Sequence, residues 1–281
     1  MPNFKLTFFG VRGSYPVPGN HVAKYGGNTS CTLIETPDHI IILDAGTGII
    51  AAGDYLTAKK KKNKVINIFL SHFHIDHTQG LPFFKPIYDP SYRINIHSYN
   101  YPENPLENAV YSLFIPPLSP IGKENIKAAV TLHFLDAKHP ESIRLGEHAV
   151  IDYHGESHPV SGVLLFRVTV NGNRLVYATD VETPGGFSDE TIKFIHGANV
   201  LIHDSMYFDE DYYNPAFSKK GFGHSTVSMA IKNAIKGEVK KIILFHYNPD
   251  YSDREVEKML RQARKTFKNT YLSRELKGYT F

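Results

Sequence analysis

The chain has 281 residues, 42% of them hydrophobic, which allows one large α/β domain or two small ones and excludes a disordered chain. Its net charge of +3 is too mild to imply nucleic-acid binding by itself, and Cys31, the sole cysteine, excludes an intrachain disulfide. No apolar run reaches membrane length, and Met1-Pro2-Asn3-Phe4-Lys5 does not open a signal peptide, so a soluble cytoplasmic protein is expected, with a homodimer allowed.

Lys5 to Phe9 alternates like a strand and stops at Gly10, and a Gly/Pro-rich stretch runs on to Gly27. Thr32 to Thr36 and Ile40 to Leu43 pair as a hairpin around Pro37-Asp38, and Asp44 to Gly48 turns into a short helix. The run Lys59-Lys60-Lys61-Lys62, with Lys64 nearby, reads as a solvated loop rather than a polyanion contact. Val65 to Leu70 is a short apolar run that predicts a buried strand. From Tyr99 to Pro140 the chain holds Pro102, Pro105, Pro116, Pro117 and Pro120 among aromatic residues, which fits either a lid beside a site or an irregular surface connection.

In the second half, Asn171-Gly172 joins strands Val163 to Val170 and Arg174 to Ala178. A helix near Thr191 to His196 precedes a strand at Val200 to His203. Ser225 to Ile235 has helical spacing, Ile242 to Phe245 is a strand ending at His246, and Ser252-Asp253 caps a helix rich in Glu, Lys and Arg. This alternation predicts an α/β fold with two mixed sheets sandwiched between helices. It forms a single domain over 1–281 with a Pro/aromatic-rich insertion near 99–140.

Fifteen histidines are spread over the chain, and four ligand-type residues fall within six positions after the Val65 strand: His72, His74, Asp76 and His77. In an extended stretch residues two apart point the same way, so His72 and His74 can grip one metal while Asp76 and His77 serve a second. The spacing His72-x-His74-x-Asp76-His77 resembles the central motif of the metallo-β-lactamase superfamily, and the similarity extends along nearly the whole chain. The resemblance implies a four-layer αββα sandwich and further ligands at strand ends downstream. His158 (preferred to His154), Asp180 and His246 occupy those places. His72, His74 and His158 would then hold one divalent ion, Asp76, His77 and His246 the other, and Asp180 would bridge them. Zinc fits these N/O ligands best, and manganese and iron(II) fit too. Two such ions about 3.5–4 Å apart can share a hydroxide, so no serine or cysteine nucleophile is required.

Three segments narrow the reaction to phosphodiester hydrolysis. Leu201-Ile202-His203-Asp204-Ser205-Met206-Tyr207 and Gly221-Phe222-Gly223-His224-Ser225-Thr226 resemble segments of ribonuclease Z-like phosphodiesterases. Gly26 to Cys31, after Gly10 to Ser14, resembles the opening of bacterial proteins related to cyclic-nucleotide phosphodiesterases. Asp76, Asp204 and His224 are therefore the catalytic candidates. His224 is placed to protonate a leaving oxygen beside a helix N-terminus that favours anions, and Asp204 to orient it. No basic arm for tRNA is evident between His77 and His158, where Lys85, Lys123 and Lys127 are scattered. The expected substrate is a small phosphodiester, a cyclic nucleotide first, which the resemblance implies more than the composition does. A ribonuclease Z-like tRNA 3′-processing endonuclease is the alternative, and a metal-binding sensory or partner-binding module without turnover the second. Asp44 is expected to accept hydrogen bonds behind the ligands, Arg12 to meet a phosphate or a salt bridge, and Phe83, Phe84 and Tyr88 to line core or pocket wall.

Overall fold

The computed structural model describes residues 4–59, 64–100, 105–116 and 119–280. Lys60, Lys61 and Lys62 of the lysine run, together with Pro102 and Pro117, lie outside the described residues. The strands are β1 (Lys5–Gly10), β2 (Cys31–Glu35), β3 (Ile40–Leu43), β4 (Val65–Phe69), β5 (Arg93–Ser98), β6 (Ala129–Phe134) and β7 (Ile143–Leu145). They continue as β8 (Ala149–Glu156), β9 (Val163–Val170), β10 (Asn173–Ala178), β11 (Val200–Asp204), β12 (Ile242–Phe245), β13 (Thr270–Leu272) and β14 (Gly278–Thr280). Among the described residues six α-helices accompany them: α1 (Gly48–Ala58), α2 (Leu106–Tyr111), α3 (Asp189–Ile195), α4 (Asp209–Tyr212), α5 (Val227–Lys236) and α6 (Asp253–Arg264).

The strands form two seven-stranded sheets, in the orders β14-β1-β2-β3-β4-β5-β6 and β13-β12-β11-β10-β9-β8-β7. Both sheets are mixed. β3 to β6 run parallel, as do β10 to β13, while the remaining neighbours are antiparallel. The period of two along β3 decides the layering. Ile41 and Leu43 face the second sheet, in one cluster with Leu6, Phe8, Phe69, Phe166, Tyr177 and Phe245. Ile40 and Ile42 face outward and pack with Ile49, Ala52 and Leu56 of α1. The result is the expected arrangement of helices outside two packed sheets.

Local chemistry explains the element ends. Asn171 and Gly172 adopt positive φ in the β9–β10 turn, as a two-residue hairpin requires. Ser188 caps α3 by accepting from Thr191 N, and Ser252 with Glu255 closes a capping box on α6. Between 99 and 140 the chain supplies β6, an edge strand, and α2. Leu106, Val110 and Phe114 pack on the outer face of the first sheet there. Among the described residues no helix is long and apolar enough to cross a membrane.

Candidate metal centre

Parallel strands leave their C-terminal ends along one edge of each sheet, and the site is assembled from those ends. Asp44 follows β3, the His72–His77 loop follows β4, Asp180 follows β10 and His246 follows β12, while Asp204 ends β11. Asp44, Asp180 and His246 all turn with positive φ, at 63°, 55° and 61°. Asp and His tolerate this region better than most residues, and such backbone clusters at sites whose geometry the surroundings enforce.

Ligand-type atoms gather in three groups among the described residues; the third, Asp204, His224 and His246, adjoins the first two. His72, His74, His158 and Asp180 offer atoms that all lie within 4.8 Å of one another, and so do Asp76, His77, Asp180 and His246. Asp180 belongs to both. Its Oδ1 is 3.7 Å from His72 Nε2 and 3.9 Å from His158 Nε2. Its Oδ2 is 3.1 Å from His77 Nε2 and 3.4 Å from His246 Nε2. His154 is elsewhere, with its Nε2 2.9 Å from Thr191 Oγ1.

The hydrogen bonds behind the rings fix which nitrogens point inward. Asp44 accepts from Ser71 N (2.7 Å), Ser71 Oγ (2.9 Å) and Tyr177 Oη (2.8 Å). It also holds His77 Nδ1 at 2.8 Å, so that nitrogen carries the proton and Nε2 presents a lone pair to the centre. Ser71 Oγ, having given its proton to Asp44, accepts from His72 Nδ1 at 3.0 Å. His72 Nε2 is then a buried lone pair without a hydrogen-bond partner among the described residues. His77 Nε2 faces His246 Nε2 at 3.2 Å, and His158 Nε2 faces His74 Nδ1 at 3.2 Å. Buried imidazole nitrogens converging on one carboxylate fit divalent cations, since each would otherwise lack a partner. Burial drives His72 below its usual pKa and brings His158 down to about 4, which keeps both in the neutral, ligating form.

Glycines bring backbone against these rings. A Cβ on Gly13 would sit 2.4 Å from His246 Cε1, and one on Gly223 the same distance from His158 Cε1. Ser14 N, next to Gly13, donates to Asp76 Oδ2 at 2.7 Å. Among the described residues Arg12 forms no salt bridge. It is fully buried and donates to the carbonyls of Gly26, Asn248 and Tyr251, tying three loops together.

Beside the cage, His224 Nδ1 lies 2.8 Å from Asp204 Oδ2 and 3.8 Å from Asp180 Oδ1. Its ring stacks on His246 at 5.1 Å. Asp204 is itself held by Met206 N at 3.0 Å. Burial disfavours a charged His224, but the Asp204 carboxylate outweighs it and lifts the pKa to about 9. The expected anion site on the following helix is corrected. Thr226 Oγ1 accepts from Met229 N, and Val227 N donates to Tyr207 O, so these first-turn amides are already used. The side chain of His224, not the helix end, carries the positive charge here.

Some groups gave no signal in the sequence. Tyr177 looks like an ordinary strand residue until β10 places its hydroxyl on Asp44. Glu182, two residues after Asp180, accepts from Gly221 N and Gly223 N at 2.7 and 2.8 Å and clamps the loop before His224 against the site. Ser157, His158, Pro159, Glu182, Pro184, Gly221 and Gly223 line a cleft of about 280 Å³ there. A larger cleft, about 700 Å³, lies between α5 and α6 and holds none of the site residues. Phe84 is core, whereas Phe83 is half exposed.

Fold and site define a metal-dependent, phosphodiester-hydrolysing enzyme with a dinuclear divalent-metal centre, similar to ribonuclease Z. Residues 39–247 match the family described as Beta-lactamase superfamily domain, and the chain belongs to that superfamily. The ribonuclease Z of Picrophilus torridus is 27% identical, with 97% of this chain and 94% of the relative aligned. That of Thermoplasma acidophilum is 26% identical over 99% and 96%. The metallo-β-lactamase fold protein YhfI from Bacillus subtilis shares the fold with a TM-score of 0.74 at 16% identity, each chain fully covered. The short form of human tRNase Z does so with 0.70 at 20% identity over 98% of both chains.

These relatives overturn the cyclic-nucleotide expectation, because the curated proteins aligned end to end with this chain are ribonucleases Z. The case against RNA rests on net charge and on the absence of a basic arm between His77 and His158. Net charge is a sum over the whole chain and hides local patches, and the absence of an arm at one place says nothing about contacts made elsewhere.

Proposed function

We propose that this protein is a ribonuclease Z-like endonuclease that cleaves precursor tRNA at its 3′ end, with two zinc ions as cofactors. The observation that supports this most is the pairing of His224 with Asp204 at 2.8 Å beside the double cage, in a chain that aligns over its length with ribonucleases Z. His72, His74, His158 and Asp180 would hold one ion, and Asp76, His77, His246 and Asp180 the other. When bound, the pair supplies Lewis acidity, lowering the pKa of a water and drawing charge from phosphoryl oxygens.

The remaining work falls to the chain. Asp44 and Ser71 keep His77 and His72 in the tautomers that present lone pairs inward. Asp204 fixes His224 through Nδ1, which leaves Nε2 as the atom that donates to the departing oxygen. Asp204 also raises the pKa of that imidazole, which favours the protonated state required of an acid. The test uses zinc-loaded protein and a precursor-tRNA transcript with a 3′ trailer at physiological ionic strength. A single cut at the trailer junction is expected. An intact transcript, under conditions where bis(4-nitrophenyl) phosphate is hydrolysed, rules the proposal out.

A further inference from the structure

Between α4 and His224 the chain runs without helix or strand from 213 to 223, yet it is pinned in place. Glu182 accepts from Tyr212 Oη as well as from the amides of Gly221 and Gly223, and Lys219 N donates to Tyr212 O at 3.1 Å. The loop therefore has a fixed shape, and its last residues form one wall of the cleft beside His158. What it displays is unusual for a surface. Tyr213, Phe217 and Phe222 are 49%, 61% and 46% exposed. The Phe217 and Phe222 rings meet edge to face at 5.9 Å. Lys219 Nζ lies 3.9 Å from the centre of the first and 5.5 Å from that of the second, and Lys220 Nζ lies 4.9 Å from the Tyr213 ring. The acidic residues of neighbouring α4 are engaged elsewhere: Glu210 by Lys258, Asp211 by Tyr251 and Asp209 by Ser228.

We infer that this loop is the stacking platform for the single-stranded part of an RNA substrate, with Phe217 and Phe222 receiving bases and Lys219 and Lys220 their phosphates. Exposed rings combined with ammonium groups are the chemistry by which proteins hold single-stranded nucleic acid. The position selects RNA over a protein partner, because the platform borders the residues proposed to act on the scissile phosphate. The inference rests on the nuclease reading and adds to it the residues that favour a polynucleotide over a small diester.

The experiment compares zinc-loaded wild type with Phe217→Ala, Phe222→Ala and Lys219→Ala on two substrates: a precursor-tRNA transcript with a 3′ trailer, and methyl 4-nitrophenyl phosphate. Each phenylalanine variant is expected to raise KM for the transcript about tenfold, the worth of one stacked base, with kcat within about twofold of wild type. Phe222→Trp restores KM, since a larger ring stacks at least as well. Lys219→Ala lowers the slope of log KM against log salt by about 0.7, one phosphate contact to a single strand. Turnover of the small diester stays at the wild-type level throughout. Transcript KM unchanged in all three variants overturns the inference while leaving the nuclease reading intact. An equal fall on both substrates also overturns it, because the loop would then act on the catalytic centre. Wild type that hydrolyses the small diester and leaves the transcript whole overturns the nuclease reading itself, and the platform with it.

Discussion

His97 allows the pH dependence of stability to be worked from the structure. It lies on β5, 5% exposed, sandwiched between Phe69 and His133 with ring centres 4.4 Å away on each side. Among the described residues neither ring nitrogen has a hydrogen-bond partner. Burial first, and then the neighbouring His133, push its pKa down from 6.5 to about 3. His133 is itself in contact with Asn95 at 3.3 Å. The folded protein thus keeps His97 neutral where the unfolded chain would protonate it, so acid favours unfolding. The contribution is fully present above pH 6.5, declines as pH falls through that value, and levels off near pH 3. Between pH 7 and pH 5 the shift amounts to about 2 kcal/mol. Replacing His97 with Phe retains a ring in the stack and removes the titration. Urea unfolding of wild type and His97→Phe at both pH values gives four stabilities. Packing changes cancel within each protein, and the cage histidines cancel between the two. Wild type should lose about 2 kcal/mol more than the variant over this interval. Equal losses in both proteins would refute a buried neutral His97.

Asp180→Ala should deplete both metals and abolish most hydrolysis, since each carboxylate oxygen faces a different ligand group; metal analysis showing two ions still bound would contradict the shared role. His224→Ala should keep both metals, with kcat reduced by about 10²–10⁴, the usual worth of a positioned acid. The loss should be smaller for a nitrophenolate leaving group, which needs little protonation, and a uniform loss across leaving groups would remove His224 from that role. Val160 is 85% exposed and held at φ 70°, a conformation that costs a β-branched residue about 1–2 kcal/mol. Val160→Gly should therefore raise the unfolding free energy by about 0.5–1 kcal/mol after the glycine's own entropy is deducted, seen as a higher urea midpoint; a lower midpoint would show that the side chain contributes packing instead.

The parts legible in the sequence were those written in neighbouring residues. His72, His74, Asp76 and His77 needed only a strand in front of them, and Val65–Phe69 announced that strand by its apolar run. Asp44, Asp180 and His246 stood out as polar residues closing apolar strands. Nothing local marks β14, a three-residue strand too short for periodicity, whose pairing with β1 depends on the fold having already formed. The resemblance already favours His158 over His154, and the physical reason is tertiary. His154 lies within β8, where its ring stacks on Phe194, whereas His158 follows that strand and reaches the centre. The substrate was the least legible feature, because one metal cage serves many reactions.

The sharing of ligands between the sheets has a mechanical consequence. His72, His74, Asp76 and His77 stand at the end of a strand in the first sheet, while His158, Asp180 and His246 stand at strand ends in the second. Each proposed ion would therefore be a cross-link between two layers that side-chain packing and hydrogen bonds such as Tyr177 Oη to Asp44 also join, in a chain whose single cysteine can form no internal bridge. Free metal then sets the rigidity of the sandwich as well as its chemistry, because any ion that binds only the folded form shifts the folding equilibrium toward it. Metal starvation would loosen the seam between the sheets from the catalytic edge, while the opposite edge kept its packing.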